Sequence, residues 1–285
     1  VLNLILLISM WRYGRLKPTK MLTIAGSDVL AGGGIQADLA TFNEYGYFGL
    51  SAITSIVTVT PDDFTIHPVP IAILAAQLDA IFAIDDIAGV KVGLLPTVAH
   101  VELVAKYLKE YASHLPVIID PVMAFKETST TNVNELVKAI QTELLPLATI
   151  TTPNLVEAEL LSGRTIKTAA DMTEAARIMQ QMGAQSVVVK GGKRLAGQEA
   201  VDVLVAADGL KTFKTEKVAN AYNNGAGCTF SSAIASQLAA GATTAHAVSD
   251  AKAFVYEGIK HGVPLNEALP VGNVWQAARR LSEEQ

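Results

Sequence analysis

Cysteine and histidine are both scarce in this chain of 285 residues. Cys228 is the only cysteine, so an internal disulfide is excluded and a reducing compartment, the cytoplasm, is the expected location. The five histidines are scattered without an H-x-x-x-H pair, and no cluster of cysteine and histidine predicts a zinc site. A G-x-S-x-G elbow is also missing, so a serine hydrolase has no support.

Positive charge is in short supply as well, with 22 Lys and Arg against 27 Asp and Glu and a net charge of −5. A nucleic-acid or anionic-membrane partner requires a basic surface, so neither is expected. Half of the residues are hydrophobic, which is ample for a sizeable core.

The apolar stretch VLNLILLISMW at the start of the chain is about half as long as a bilayer-spanning helix, and no basic residues precede it. We expect residues 1–20 to be an extension outside the fold, with a short membrane-associating helix as the alternative. Residues 21–285 are expected to form one domain, because neither a linker nor an internal repeat interrupts them.

From Met21 onward, strand-like and helix-like segments alternate. Short runs rich in Val, Ile and Thr predict buried strands: MLTIAG, ITSIVTV, GVKVGLL, PVIIDP, LATITT and SVVVKGG. Segments with helical spacing separate them, such as IQADLATFNEYG, which places Ile35, Leu39 and Phe42 on one face. This alternation predicts an α/β fold with three layers, in which helices cover both faces of a mostly parallel central sheet.

A hairpin with its turn at Asp208–Gly209 is predicted next, and then a glycine loop that leads into a helix. Gly225, Ala226 and Gly227 stand at the start of that helix, where free N–H groups and the helix dipole favour an anion. The same field is expected to lower the pKa of the Cys228 thiol from its free value of about 8.5. The alternative is a glycine turn followed by a small buried cysteine.

The stretch TTPNLVEAELLSG carries Asn154 and Glu157 on one face of a helix's first turn. One interpretation is a capping box, with Asn154 as the N-cap and Glu157 at the third helical position. The other is a pair of oxygen ligands for hydrated Mg²⁺, which needs few carboxylates. The sequence leaves both open.

Asp120 and Lys190 each follow a predicted buried strand, and ligands of open α/β sheets gather at the carboxyl ends of strands. Asp120 is either a cleft residue or a solvated turn residue. Lys190 either neutralises phosphate or extends to solvent. The stretch AGSDVLAGGGIQADLATF is a strand, a glycine-rich loop and a helix bearing Asp38, and it matches neither a dinucleotide fingerprint nor a P-loop. Its loop suits a flat ligand or is an ordinary flexible connection.

Over residues 21–275 the chain resembles the ribokinase-like superfamily, through TIAGSD, GGGIQADLATF, KVGLLPT, DPVM, TPNLVEAELLSG, VVVKGG and NGAGCTFSSA. Within it, the chain is similar to the branch of pyridoxal (pyridoxine) kinases and hydroxymethylpyrimidine kinases. The resemblance implies a homodimeric kinase that uses ATP and Mg²⁺ and phosphorylates the 5′-hydroxymethyl group of pyridoxal in vitamin B6 salvage. The alternatives are a hydroxymethylpyrimidine or hydroxymethylpyrimidine-phosphate kinase of thiamine biosynthesis and, more distantly, a catalytically weak nucleotide-binding protein.

The resemblance also implies roles for individual residues. Cys228 would activate or orient the substrate hydroxyl beside an anion hole formed by Gly225, Ala226 and Gly227. The implied substrate-binding residues are Gly26, Asp28, Gly33, Asp38, Val59 and Val122. The implied ATP-binding residues are Asn154, Glu157, Lys190, Gly192 and Gly227. The implied metal ligands are Asp120 and Glu157.

The chain departs from the family pattern in several places. Val29-Leu30-Ala31 replaces a Ser-Ser-Gly sequence, Asn224 stands where pyridoxal kinases often have His, and Phe125 stands where some have a second Cys. Covalent capture of an aldehyde by that second thiol is therefore excluded. Hydroxymethylpyrimidine kinases have Gln at the position of Val59, and valine cannot hydrogen-bond the polar edge of a pyrimidine. Val59 therefore favours pyridoxal-type substrates.

Overall fold

The computed structural model describes residues 18–60, 64–123, 130–219, 222–265 and 271–283. The strands are β1 Lys20–Asp28, β2 Phe48–Val59, β3 Phe64–Pro68, β4 Ile87–Val92, β5 Val117–Ile119, β6 Ile150–Thr151, β7 Val187–Lys190, β8 Glu199–Ala206, β9 Gly209–Glu216, β10 Val263–Pro264 and β11 Gly272–Asn273. The α-helices are α1 Gly34–Glu44, α2 Ile71–Phe82, α3 Val98–Tyr111, α4 Thr130–Ala139, α5 Leu155–Ser162, α6 Ala169–Gln181, α7 Ala226–Ala239, α8 Thr244–Lys260 and α9 Arg279–Glu283. Phe125 and residues 1–17 lie outside the described residues, and so do the predictions that concern them.

Nine strands form one sheet in the order β3-β2-β1-β4-β5-β6-β7-β8-β9. The neighbours from β2 to β7 are parallel, whereas β3 at one edge and β8 and β9 at the other are antiparallel. All six predicted strands are present, and the mostly parallel sheet is confirmed. The predicted hairpin forms between β8 and β9, but Ala206 pairs with Gly209, so its turn is Ala207–Asp208.

Helices cover both faces of the sheet. Successive residues of a strand point to opposite sides, so one strand contributes to the cores on both faces. In β7, Val187 and Val189 belong to the core beneath α2 to α6, while Val188 belongs to the core beneath α1, α7 and α8. All three valines are fully buried. The three-layer α/β/α architecture predicted from the sequence is therefore confirmed.

Strand β3 was not predicted, and it lengthens β2 into a hairpin. Asp28, the last residue of β1, pairs with Val57, so β2 runs two residues past the end of its neighbour. There it pairs with β3, with Val57 opposite Ile66 and Val59 opposite Phe64. The hairpin thus extends the sheet edge beside the carboxyl end of β1.

None of the helices in the described ranges combines the length and the apolar character that crossing a bilayer requires.

Candidate active site

A cavity of about 570 Å³ lies where the parallel strands end, and it brings most of the predicted site residues together. Its wall includes Gly26, Asp28, Gly33, Asp120, Val122, Asn154, Glu157, Lys190, Gly192, Gly225, Ala226, Gly227 and Cys228. Asp38 and Val59, both predicted to contact substrate, are not part of that wall within the described residues.

The glycine loop before α7 presents backbone N–H groups to the cavity. Gly225 has φ +81, and a Cβ atom there would lie only 3.0 Å from the carbonyl oxygen of Gly32, so the position requires glycine. Helix α7 has no side-chain N-cap. In the described part of the chain, no acceptor pairs with the N–H groups of Gly227 and Cys228. This geometry suits an anion, as the sequence predicted.

The expected low pKa of the Cys228 thiol is wrong. Burial raises its pKa to about 11, and the carboxylates of Asp38 and Asp120 act in the same direction. The Lys91 ammonium and a hydrogen bond from the Gly34 N–H oppose the shift without cancelling it. The thiol is therefore protonated at neutral pH, because desolvation outweighs the Lys91 ammonium and the Gly34 N–H.

Alkylation by iodoacetamide tests this protonation state directly, because Cys228 is the only thiol of the chain. The thiolate is the reacting form, so the rate is expected to rise about tenfold per pH unit up to about pH 10. The urea-unfolded chain is the matched control, and its rate should level off near the free-thiol pKa of about 8.5. A plateau below pH 9 in the folded protein would contradict the raised pKa.

Asp120 is the centre of a buried polar cluster, not a solvated turn residue. Its Oδ1 accepts hydrogen bonds from Lys190 Nζ at 2.9 Å and Thr152 Oγ1 at 3.0 Å, and its side chain is 1% exposed. Burial alone would raise the Asp120 pKa, but the ammonium groups of Lys190 and Lys91 outweigh it and lower the pKa. Lys190 therefore does not extend to solvent, and it pairs with an ionised carboxylate at the cavity wall.

Asn154 and Glu157 do form a capping box. Asn154 Oδ1 accepts from the N–H groups of Val156 at 2.9 Å and Glu157 at 3.1 Å, and Glu157 Oε2 accepts from the Asn154 N–H at 2.7 Å. Both side chains also line the cavity, so the cap does not exclude a role there. Burial raises the Glu157 pKa to about 7, Asp120 adds to the shift, and Lys190 opposes it. The pKa of Glu157 is thus raised while the pKa of Asp120 is lowered.

The loop between β1 and α1 is held by the Asp28 side chain and by close approach of its own backbone. Asp28 Oδ1 accepts from the Leu30 N–H at 2.9 Å, so this carboxylate shapes the turn as well as lining the cavity. A Cβ atom on Gly34 would lie 2.1 Å from the carbonyl oxygen of Gly26. Ala31 has φ +55 at the place where the family resemblance expects glycine, so this departure carries backbone strain.

Asp38 lies beneath the cavity in a buried ion pair. Its Oδ2 accepts from Lys91 Nζ at 2.9 Å and Thr23 Oγ1 at 2.6 Å, and its Oδ1 accepts from Ser232 Oγ at 2.7 Å. Asp38 and Lys91 are both 0% exposed. Burial lowers the pKa of Lys91, but the Asp38 carboxylate outweighs that effect and raises it. The implied contact of Asp38 with substrate stays a prediction, since its carboxylate already accepts three internal hydrogen bonds.

The apolar wall near β2 is formed by Val57 and Phe64, together with Leu94. Val59 has the same side-chain parity as Val57 and lies two pairs further along the hairpin, opposite the wall residue Phe64. Val57 lines the cavity although the sequence analysis did not name it, and the implied contact of Val59 with substrate stays a prediction.

The opposite end of the cavity carries charged residues that the sequence analysis missed. Lys252 Nζ donates to Asp202 Oδ2 at 2.7 Å, and Asp202 Oδ1 accepts from the Gly191 N–H at 3.1 Å. Arg194 and Lys217 line the same end. A lone charge within the apolar strand AVDVLVA was the available signal for Asp202. The basic character of this end suits a phosphate-bearing ligand.

Comparison with known proteins gives consistent matches. The family model described as phosphomethylpyrimidine kinase matches residues 28–273. The pyridoxine kinase of Bacillus subtilis is 42% identical over 269 residues, which are 93% of this chain and 98% of the relative. The hydroxymethylpyrimidine/phosphomethylpyrimidine kinase of Haemophilus influenzae is 37% identical over 264 residues, 91% of this chain and 98% of the relative.

A solved structure of the pyridoxal kinase from Staphylococcus aureus, in complex with AMP-PCP and pyridoxal, has a TM-score of 0.85 to this chain. The sequence identity is 36%, and the match covers 92% of this chain and 95% of that one. The resemblance to this branch of the ribokinase-like superfamily, and the fold it implied, are confirmed by these matches.

Proposed function

Because the chain belongs to the phosphomethylpyrimidine kinase family, we propose that it is an ATP-dependent kinase of pyridoxal, pyridoxine and pyridoxamine. The observation that carries the proposal is the grouping of three features around one cavity. These are the unpaired N–H groups at the start of α7, the Cys228 thiol and the Asp120–Lys190 ion pair. The substrate's 5′-hydroxymethyl group would accept the γ-phosphoryl group of ATP there.

Phosphoryl transfer depends on positioning and charge neutralisation more than on a strong base. The N–H groups of Gly227 and Cys228 and the ammonium of Lys190 would neutralise the charge on the transferred group. Cys228 holds its proton in the resting enzyme, so its role is to orient the hydroxyl by a weak hydrogen bond. The hydroxyl proton leaves late, when the bond to phosphorus is largely formed, and passes to an oxygen of the transferred phosphoryl group or to water, since the protonated thiol cannot accept it.

Magnesium suits the acidic part of this wall, with Asp120 and Glu157 as its protein ligands. Among the described residues, no group of three or more carboxylate, histidine or cysteine side chains forms a closed metal site. Mg²⁺ keeps several waters and binds through one or two carboxylates and substrate phosphates, so two carboxylates are sufficient. When bound with ATP, it would neutralise charge on the phosphates.

A substrate panel with Mg-ATP tests the proposal: pyridoxal, pyridoxine, pyridoxamine and hydroxymethylpyrimidine. Burying the polar edge of a pyrimidine against Val57 and Phe64 costs about 1–3 kcal/mol, whereas pyridoxal has a methyl group to meet that wall. We expect a higher kcat/KM for pyridoxal than for the pyrimidine. Val57→Thr, which keeps the side-chain volume and adds a hydroxyl, should move the preference toward the pyrimidine. A wild-type preference for the pyrimidine would refute the assignment of the substrate but not that of the kinase.

Phosphorylation of hydroxymethylpyrimidine or its phosphate is the second candidate function. The similarity to the Haemophilus influenzae kinase favours it, and so does Asn223, a residue of the cavity wall that carries an amide side chain. An amide offers both a donor and an acceptor, which is the complement of the pyrimidine edge. Failure to phosphorylate any member of the panel would favour the catalytically weak nucleotide-binding alternative.

We also propose that the kinase acts in the cytoplasm and as a homodimer. A single cysteine supports the first proposal, since it fits a reducing compartment. The family resemblance supports the second. Light scattering at micromolar concentration measures the oligomeric state.

A further inference from the structure

Two adjacent serines of α7, Ser231 and Ser232, are fully buried at positions where alanine would favour a helix. The Ser232 hydroxyl donates to Asp38 Oδ1 at 2.7 Å. The Ser231 hydroxyl lies 3.2 Å from Asp120 Oδ2 and 3.1 Å from the Gly227 carbonyl oxygen. Buried hydroxyls require partners. The Ser231 hydroxyl also donates within its own helix, to the Cys228 carbonyl oxygen at 3.0 Å, whereas the partner of Ser232 is a carboxylate from another part of the fold. Ser232 makes the shorter of the two carboxylate bonds.

Asp38 connects four elements through one carboxylate. It belongs to α1, and it accepts hydrogen bonds from Thr23 of β1, Lys91 of β4 and Ser232 of α7. A buried ion pair is a weak source of stability, because apolar residues of similar volume often stabilise a core as well. Here the Asp38 carboxylate links two strands at the centre of the sheet to Ser232 of α7 by directional hydrogen bonds.

Few large side chains fix helix α7 along its axis. In the first three turns of AGCTFSSAIASQLA the large buried residues are Phe230 and Ile234, and the other residues are small. The helix starts from Gly225 without a side-chain cap. Ser232 follows Cys228 by four residues, about one helical turn, so any shift of Ser232 along the axis moves Cys228 equally.

We propose that Asp38, paired with Lys91, is a positioning residue that fixes the start of α7 through Ser232. The contact sets where the N–H groups of Gly227 and Cys228 stand relative to the carboxyl ends of the strands. This inference rests on the proposed phosphoryl transfer for its effect on the rate, but the positional effect on the thiol is independent of activity.

Ser232→Ala tests the inference, with Ser236→Ala as the matched control. Ser236 is also buried in α7, but its hydroxyl donates to the Ser232 carbonyl at 2.9 Å, not to a carboxylate. A misplacement of about 1 Å can cost up to about 10²-fold in rate, so we expect Ser232→Ala to lower kcat about 10- to 100-fold. The KM values for ATP and pyridoxal should change by no more than about threefold, since binding groups remain. Ser236→Ala should match wild type in kcat and in both KM values.

The second measurement is the rate of Cys228 alkylation at fixed pH in the same two variants. Loss of the Asp38 contact should make the thiol more accessible, so Ser232→Ala should react faster than wild type while Ser236→Ala does not. A purely structural role would lower the Tm of both variants and leave both alkylation rates alike. Equal kcat and equal alkylation in the two variants would overturn the inference. If wild type phosphorylates nothing in the panel, a selective change in alkylation still supports positioning while the proposed function fails.

Discussion

Lys190→Met is expected to lower kcat by about 10²–10³, the range seen when one donor to a developing anion is removed. The Lys190 ammonium lies 3.2 Å from where a Cβ atom on Gly227 would stand, beside the first turn of α7. It is therefore the charge best placed to meet a phosphoryl group held by the N–H groups there. Steady-state kinetics at saturating ATP and pyridoxal measure this effect.

The same substitution also leaves Asp120 buried without its partner at 2.9 Å, so the Tm should fall. Adding Asp120→Asn removes the unpaired charge and should recover the Tm, while kcat stays low because this change also removes a proposed Mg²⁺ ligand. Lys214→Met is the control for losing a lysine ion pair, since Lys214 pairs with Glu199 at 2.8 Å on the exposed edge strand β9. A kcat like that of wild type in Lys190→Met, beside a lowered Tm, would show that Lys190 acts only through stability.

The architecture could be predicted from the sequence because the central strands are apolar on both faces. Runs such as GVKVGLL and SVVVKGG leave no polar side for water, and this pattern predicts a parallel sheet between two helical layers. The exception is β3. Its sequence, FTIHP, is only five residues long and ends in proline, and the strand forms through pairing with the end of β2. Pairing across a hairpin is a tertiary property that local pattern does not contain.

Residues of the candidate site were predicted where a chemically suited side chain follows a strand. They were missed where only a contact between distant parts of the chain places them at the site. Asp120 and Lys190 follow strand ends, and the topology brings them together. Lys91 and Asp202 were single charges inside apolar strands, which signals a buried ion pair, but their partners Asp38 and Lys252 lie far away in the chain. Pattern alone cannot pair residues over such separations.

Val57 was missed at the ligand wall, and the pKa of Cys228 was predicted wrongly, for separate physical reasons. Val57 and Val59 share one face of β2, and the pairing of β2 with β1 and β3 places Val57 at the cavity wall. Cys228 stands at a helix N-terminus as predicted, yet burial raises its pKa, since desolvation disfavours the charged form of the thiol. The sequence left a buried cysteine open as the alternative, and strand register depends on pairing that local sequence does not contain.

Glu157 governs the pH dependence that we expect for the kinase. Its pKa of about 7 means that half of the free enzyme carries a protonated Glu157 at neutral pH. If Mg²⁺ requires the carboxylate, kcat/KM should rise about tenfold per pH unit below 7 and level off above it. The raised pKa also implies that the free energy of unfolding falls as the pH rises from 4.5 to about 7, because the unfolded chain releases this proton first.

Glu157→Gln is expected to lower kcat by about 10²–10³, with partial recovery at high Mg²⁺, and to abolish the rise of kcat/KM through pH 7. The amide oxygen can still accept from the Asn154 N–H, so the cap and the Tm should be largely retained. Asp171→Asn is the matched control. Asp171 occupies the same place in the capping box of α6, where its Oδ2 accepts from the Thr168 N–H at 2.9 Å at an exposed site outside the cavity wall. Normal kinetics in both variants would contradict a catalytic role of Glu157. Its carboxylate would then serve only as the hydrogen-bond acceptor of the helix cap.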